Sequence, residues 1–148
     1  MTPMTRLALL WFVPILAILV LVAGQVRADT EKPLQVYYLE IVTPDVDATC
    51  ASLEKVHGVT FGEPQPELGN ALTAPLAGGG LLSVRAPMAE HEEPVVRPYL
   101  LVDDIEAAVE AAREAGGQIA MPATEIPGRD GRFAIYFQDG IQYGLWQI

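Results

Sequence analysis

The sequence predicts an α+β domain made of two tandem βαβββ modules, preceded by an N-terminal hydrophobic leader. Three observations lead there. They are an apolar run near the N-terminus, short strand-like segments arranged around two amphipathic helical segments, and an internal repeat that sets those helical segments 59 residues apart.

The leader carries Arg6 as its only charge before an uninterrupted apolar run over residues 7–23. Gly24 and Gln25 break the run, and Val26-Arg27-Ala28 places small or β-branched residues where a signal peptidase cleaves. A spanning helix needs about 20 apolar residues, and Pro14 interrupts even this shorter run. Residues 1–28 therefore read as a signal peptide, which makes the rest of the chain periplasmic or secreted. The alternative is an uncleaved anchor that ties the domain to the inner membrane, outside the cytoplasm; only in that form does a membrane become a partner. No cysteine follows the run closely, which argues against a lipoprotein anchor.

Residues 29–34 form a polar, proline-bearing linker. Residues 35–42, rich in β-branched and aromatic side chains, read as a strand. Thr43-Pro44-Asp45 starts a helix whose apolar stripe is Val46, Cys50, Leu53 and Val56, and Gly58 stops it. Strand segments follow at 59–62, 70–75 and 81–85. Gly78-Gly79-Gly80 lacks the spacing and the lysine of a phosphate loop, so it has no nucleotide role.

A charged linker, residues 88–94, leads into the same order of elements again. Residues 95–102 read as a strand, Asp103 as a helix cap, and Glu106 as the partner that completes a capping box. Ile105, Ala108, Val109 and Ala112 form the helical stripe, Gly116-Gly117 ends it, and strands follow at 118–122, 132–138 and 141–147. Pro98 lies inside a strand and must sit where no N–H is needed. The modules, 35–86 and 95–148, superpose Asp45 on Asp104, Val46 on Ile105, Cys50 on Val109 and Gly58 on Gly117.

Charge narrows the function. The whole chain carries a net charge of −10, and without Arg6 and Arg27 the remainder is near −12. So acidic a surface repels phosphate backbones, which argues against nucleic acid as a partner. Cys50 is the only cysteine, so an intrachain disulfide and a cysteine-based zinc site are both excluded. Its position on the helical stripe makes it a small buried hydrophobe.

A duplicated βαβββ unit resembles the vicinal oxygen chelate superfamily, which includes glyoxalase I, extradiol dioxygenases and bleomycin-resistance proteins. The segments that carry the resemblance are Leu39-Glu-Ile-Val-Thr-Pro-Asp-Val-Asp with His57-Gly-Val-Thr-Phe, then Tyr99-Leu-Leu-Val-Asp-Asp-Ile-Glu-Ala-Ala, and Phe137-Gln-Asp-Gly-Ile-Gln-Tyr-Gly-Leu-Trp-Gln. The resemblance implies that the two modules form a cup-shaped open barrel. It also implies that metal-using members place His, Glu or Gln ligands on the first and last strands of each module. Those positions fall here on Tyr38, Arg97, Gly144 and one of Leu82, Ser83 or Val84. None is a credible ligand, and an arginine at the centre repels a cation, so no metal or other cofactor is expected. His57, beside Gly58 at a helix end, and His91, among Glu90, Glu92 and Glu93 in a solvated linker, do not replace the missing ligands.

Strand parity then gives the inward set: Tyr38 with Glu40, Arg97 with Tyr99, and Gln142 with Trp146 on either side of Gly144. Apolar walls with a few convergent polar groups suit a small-molecule pocket. The same group also reads as a packed core in which a Glu40–Arg97 pair joins two sheets. Arg129 and Arg132 lie on a loop that either rims the cup or is plain surface.

Three functions are compatible with this set. The first is a metal-independent small-molecule binding protein, with Tyr38, Glu40, Arg97 and Trp146 as the leading contacts. The second is an enzyme of the lyase, isomerase or dioxygenase kind related to lactoylglutathione lyase, with Glu40 as candidate general base. The third is a scaffold without ligand. The resemblance leaves a homodimer open as an assembly.

Overall fold

A computed structural model describes residues 32–148. The signal-peptide reading of residues 1–28 and the first half of linker 29–34 lie outside the described residues. The elements run β1 (Val36–Val42), α1 (Val46–His57), β2 (Leu72–Pro75), β3 (Leu81–Arg85), β4 (Val95–Leu101), α2 (Ile105–Glu114), β5 (Gln118–Glu125), β6 (Arg132–Gln138) and β7 (Ile141–Gln147). This is the expected α+β architecture. The repeat is visible in its bounds, since β1 and β4, like the starts of α1 and α2, are separated by the 59 residues read from the sequence.

All seven strands join one sheet in the order β2-β3-β1-β4-β7-β6-β5. β1 pairs parallel with β3 as β4 pairs parallel with β7, and the modules meet where β1 and β4 run antiparallel. That central register sets Tyr38 opposite Tyr99 and Glu40 opposite Arg97. Tyr38 and Trp146 lie two strands apart, yet their rings stack with centroids at 4.9 Å. Strands two apart in a flat sheet are separated by about 9.5 Å, so the sheet is concave on this face.

The opposite face packs on α2. Ile105, Val109, Ala134 and Leu145 form a buried cluster there, with Ala108, Ile119 and Tyr136 against it. On α1, Cys50 is buried as expected, but Val56, read as part of the apolar stripe, is 69% exposed.

Two further expectations are corrected. Residues 59–62 form no strand, so the first module has one strand fewer than the second. Pro64 and Pro66 follow directly and have no N–H for a ladder. What remains of an edge is a Gly62 N–H donating to the Thr73 carbonyl (2.9 Å) and a bridge between Gln65 and Ala71. The cap of α2 is Asp104, whose Oδ1 accepts from Ala107 N at 3.1 Å, and not Asp103. Gln147 explains the shift: its Nε2 donates to the Asp103 carbonyl and its Oε1 accepts from Ile105 N, both at 3.1 Å. Glu106 accepts from Arg132 Nη2 at 2.6 Å, so its carboxylate engages β6 and the capping box gives way. Pro98 fits because the β4–β7 ladder begins at Tyr99, just beyond it.

Replacing the cap, Asp104→Ala, should lower stability by about 1 kcal/mol, read as a shift in urea midpoint with unchanged slope. An unshifted midpoint would show that Gln147, not Asp104, fixes the start of α2.

Candidate functional site

The concave face concentrates the polar residues that a sheet interior normally excludes. Glu40 and Arg97 are each 5% exposed and Arg85 is 3% exposed. Buried charges persist only when paired and hydrogen-bonded, and here the pairing is complete. Glu40 Oε1 accepts from Arg85 Nε at 2.6 Å, while Oε2 accepts from Arg97 Nη1 and from the Tyr99 hydroxyl, the latter at 3.0 Å. Arg97 also donates from Nε to Gln142 Oε1 at 2.9 Å, and from Nη2 to the same oxygen. Arg85 turns its other edge to Glu92, with Nη1 to Oε2 at 2.9 Å and Nη2 to Oε1 at 2.7 Å. The chain Glu92–Arg85–Glu40–Arg97–Gln142 thus runs from the inter-module linker to β7.

The network sets the protonation states around it. Hydrogen bonds from Arg85 hold the Glu92 carboxyl down at about 2. Burial works against the Arg85 charge, but bonds to Glu92 and Glu40 outweigh it and raise its pKa. Burial pushes the Tyr38 phenol up to about 12 and raises that of Tyr99, to which the Glu40 charge adds. Both phenols are therefore neutral at physiological pH.

A cavity of about 410 Å³ opens above this floor, lined by Tyr38, Glu40, Arg85, Arg97, Tyr99 and Trp146 together with apolar side chains. That volume lies in the roughly 300–1,000 Å³ range of small-ligand sites. Phe133 and Ile135 of β6 and Leu68 of the turn Pro66–Leu68 supply apolar wall. Ile126 and Pro127 of the β5–β6 loop close one side. A second hollow, about 680 Å³, is bounded by residues 125–132 alone and is the concavity of that one loop.

Strand parity placed the inward residues correctly. Tyr38, Glu40, Arg97, Tyr99 and Trp146 all line the cavity; Gln142 is instead the acceptor that orients Arg97. Arg129 reaches Glu67 at 3.8 Å, so its loop does rim the cup, whereas Arg132 pairs with Glu106 on the helical side. Two members were missed. Arg85 lies two residues beyond Ser83 on β3, and the same parity argument extended by one step would have found it. Glu92 was read as part of a solvated linker; His91, Glu90 and Glu93 are indeed exposed, but Glu92 turns inward. Its signal was arithmetic, because two buried arginines against Glu40 alone require a second carboxylate.

The superfamily's metal does not fit this floor. The positions its ligands take hold a phenol at Tyr38, a guanidinium at Arg97 and no side chain at Gly144. A Cβ on Gly144 would lie 2.1 Å from Tyr99 Cδ1, so the Tyr99 ring fills the space a ligand would need. Among the described residues no group of three or more His, Cys, Asp or Glu side chains converges. Among the described residues, the buried Trp146 Nε1 has no hydrogen-bond partner, and Ser83 Oγ has only the Tyr38 hydroxyl nearby. An unpartnered atom of this kind costs about 1–3 kcal/mol.

Comparison with known proteins agrees with the fold. No family model matches the sequence. Proteins named as candidate glyoxylases, CFP32 of Mycobacterium bovis and of Mycobacterium tuberculosis, are 30% identical over 116 residues, which is 74% of this chain and 44% of theirs. The chain thus spans less than half the length of the curated relatives it matches. Among solved structures, a hypothetical protein from Bacillus halodurans superposes with a TM-score of 0.62 at 13% identity, over 79% of this chain and 96% of that one. Methylmalonyl-CoA epimerase of Streptomyces coelicolor, in complex with 2-nitronate-propionyl-CoA, gives 0.56 at 16% identity over 76% and 96%. The epimerase of Mycobacterium tuberculosis gives 0.56 at 16% over 74% and 85%.

The network makes two predictions. Glu40→Ala leaves two guanidinium groups buried without the carboxylate between them, and urea unfolding should show a loss of about 3–5 kcal/mol. A loss below about 1 kcal/mol is the size seen for solvated pairs and would remove the network from the fold's supports. The second prediction concerns pH. A carboxyl depressed from 4.5 to about 2 on folding adds stability that is complete above 4.5 and vanishes as pH falls towards 2. Melting temperature should therefore fall through that window, and less steeply in Glu92→Gln; parallel curves would mean that Arg85 does not hold Glu92.

Proposed function

We propose, from the premise that this chain belongs by its fold to the vicinal oxygen chelate superfamily, that its cup binds a small molecule without a metal ion. The observation that carries this reading is the Tyr99 ring seated against Gly144. It removes both the ligand and the space from the last-strand position that metal-using members depend on. The neighbouring positions hold Tyr38 and Arg97, and a buried guanidinium is a poor neighbour for a divalent cation. What the floor retains is a cavity of ligand size with neutral aromatic and compensated polar groups.

The Glu40 environment favours binding over proton abstraction. A general base must offer a free lone pair within reach of the proton it takes. Three of the four lone-pair sites of Glu40 already accept, Oε1 from Arg85 and Oε2 from Arg97 and Tyr99. In this reading Glu40 positions the two arginines, and the wall formed by Trp146 and Phe133 makes the main contact with the ligand. Two methylmalonyl-CoA epimerase structures of this fold are in complex with 2-nitronate-propionyl-CoA and with methylmalonyl-CoA, which supports a small-molecule cup. The proposal includes export, supported by the apolar run at 7–23 and the cleavage pattern at 26–28.

The test is metal content and metal-dependent melting of the full chain after chelation and refilling with nickel, manganese, iron or zinc. The expected result is less than about 0.1 equivalent of metal with no rise in melting temperature, since a resident ion that binds only the folded state must raise it. Stoichiometric metal with a clear rise would overturn the proposal and make a metal-dependent enzyme the better account.

A further inference from the structure

The cavity's charge arrangement specifies its ligand more narrowly than its shape does; this step rests on the binding reading above. Two arginines on a pocket floor ordinarily suggest an anionic ligand, because guanidinium groups bind carboxylate and phosphate in a bidentate manner. Here four of the five N–H donors of each guanidinium are already engaged, and neither keeps a free two-donor edge. Arg85 uses Nε on Glu40, and Nη1 and Nη2 on Glu92, with Nη1 also donating to the Ala86 carbonyl at 3.0 Å. Arg97 uses Nη1 on Glu40 and Tyr99, and its remaining edge on Gln142. Two positive and two negative charges cancel, so the floor presents no net charge to a ligand.

The rest of the cavity points the same way. Glu67 and Glu125 line it as well; Glu67 pairs with Arg129 at 3.8 Å, and Arg132, opposite Glu125 in the sheet, pairs instead with Glu106. The chain as a whole carries −10. An anion would approach against that field and would have to displace Glu40, Glu92 or Gln142 to gain a bidentate contact with a guanidinium. The wall is apolar, built from Leu68, Met88, Ile126, Phe133, Ile135 and Trp146. Met88 is 68% exposed and stands at the mouth, where a flexible thioether adapts to an apolar surface.

We propose that the cup selects an uncharged, predominantly apolar small molecule and rejects anionic analogues of the same shape. The CoA-ester type of ligand held by the epimerase neighbours is thereby disfavoured for this chain. The charged floor acts as a rigid, neutral platform and not as an anion hook.

The test uses the full chain and a panel of one- to three-ring aromatic compounds, each supplied as neutral alcohol, carboxylate and amine, screened by thermal shift and measured by calorimetry at pH 7. Neutral members should bind, and each matched carboxylate should bind at least ~10-fold more weakly, as expected when a charge is desolvated without a free partner. Leu68→Trp, which fills the cavity, should abolish the signal. Glu92→Gln, which frees one edge of Arg85 at the solvent side, should raise carboxylate affinity relative to the alcohol. Carboxylates or amines that bind as tightly as the alcohols, with binding lost in Leu68→Trp, would overturn the ligand class and leave the cavity a binding site. No binding by any member, or binding indifferent to Leu68→Trp, would overturn the binding reading itself.

Discussion

Glu40 is a carboxylate buried on an inner strand of a sheet, and a group so placed is tolerated only if hydrogen-bonded cations meet its charge. Its partners come from different parts of the chain: Arg85 from β3, Arg97 and Tyr99 from β4. Each has to be on the concave face at the same time. A one-residue slip of β1 against β4 would turn Glu40 towards α1 and α2 and leave two guanidinium groups stranded. Hydrophobic side chains alone penalise such a slip gradually, whereas unpaired buried charge penalises it sharply. The ion network therefore fixes the register at the one seam where the two modules meet, and the cavity inherits its geometry from that register.

The aromatic layer builds on this platform. The Tyr99 hydroxyl is held by Glu40, which sets the ring over Gly144, and Trp146 packs perpendicular to Tyr99 at 5.9 Å while stacking on Tyr38 at 4.9 Å. Gly144 is required because any side chain there would meet the Tyr99 ring. A glycine on a buried central strand usually weakens it, but here the neighbouring ring occupies the vacated space. The electrostatic floor and the apolar wall thus share Tyr99, through its hydroxyl and its ring.

Much of this was legible in the sequence, for identifiable reasons. The repeat of helix starts at Val46 and Ile105 was readable because caps and stripes are local signals, and strand parity carried Tyr38, Glu40, Arg97, Tyr99 and Trp146 to one face. The differences at Asp103 and Glu92 have a cause in non-local bonding. Asp103 reads as the cap of α2, and the bonds of Gln147, 44 residues away, place the cap at Asp104. Residues 59–62 have strand-like composition, yet the prolines that follow deny them a ladder. Glu92 was submerged in a charged linker, where only the demand of a buried Arg85 distinguishes it from Glu90 and Glu93. Local patterning reveals elements and faces, and it stays silent on which polar group satisfies which.

The duplication also explains why the cup is asymmetric. At equivalent first-strand positions the modules carry Tyr38 and Arg97, and Glu40 and Tyr99. Because β1 and β4 are antiparallel, the pseudo-twofold sets phenol beside phenol and carboxylate beside guanidinium. Had both modules kept the same residues, the seam would hold two like charges or none. Divergence at two positions instead places one ion pair at one end of the seam and a ring pair at the other. The second unit then adds Trp146 and Phe133 on the ring side, and the first adds Arg85 on the charged side. A polar floor beneath an apolar wall follows from that difference between the modules.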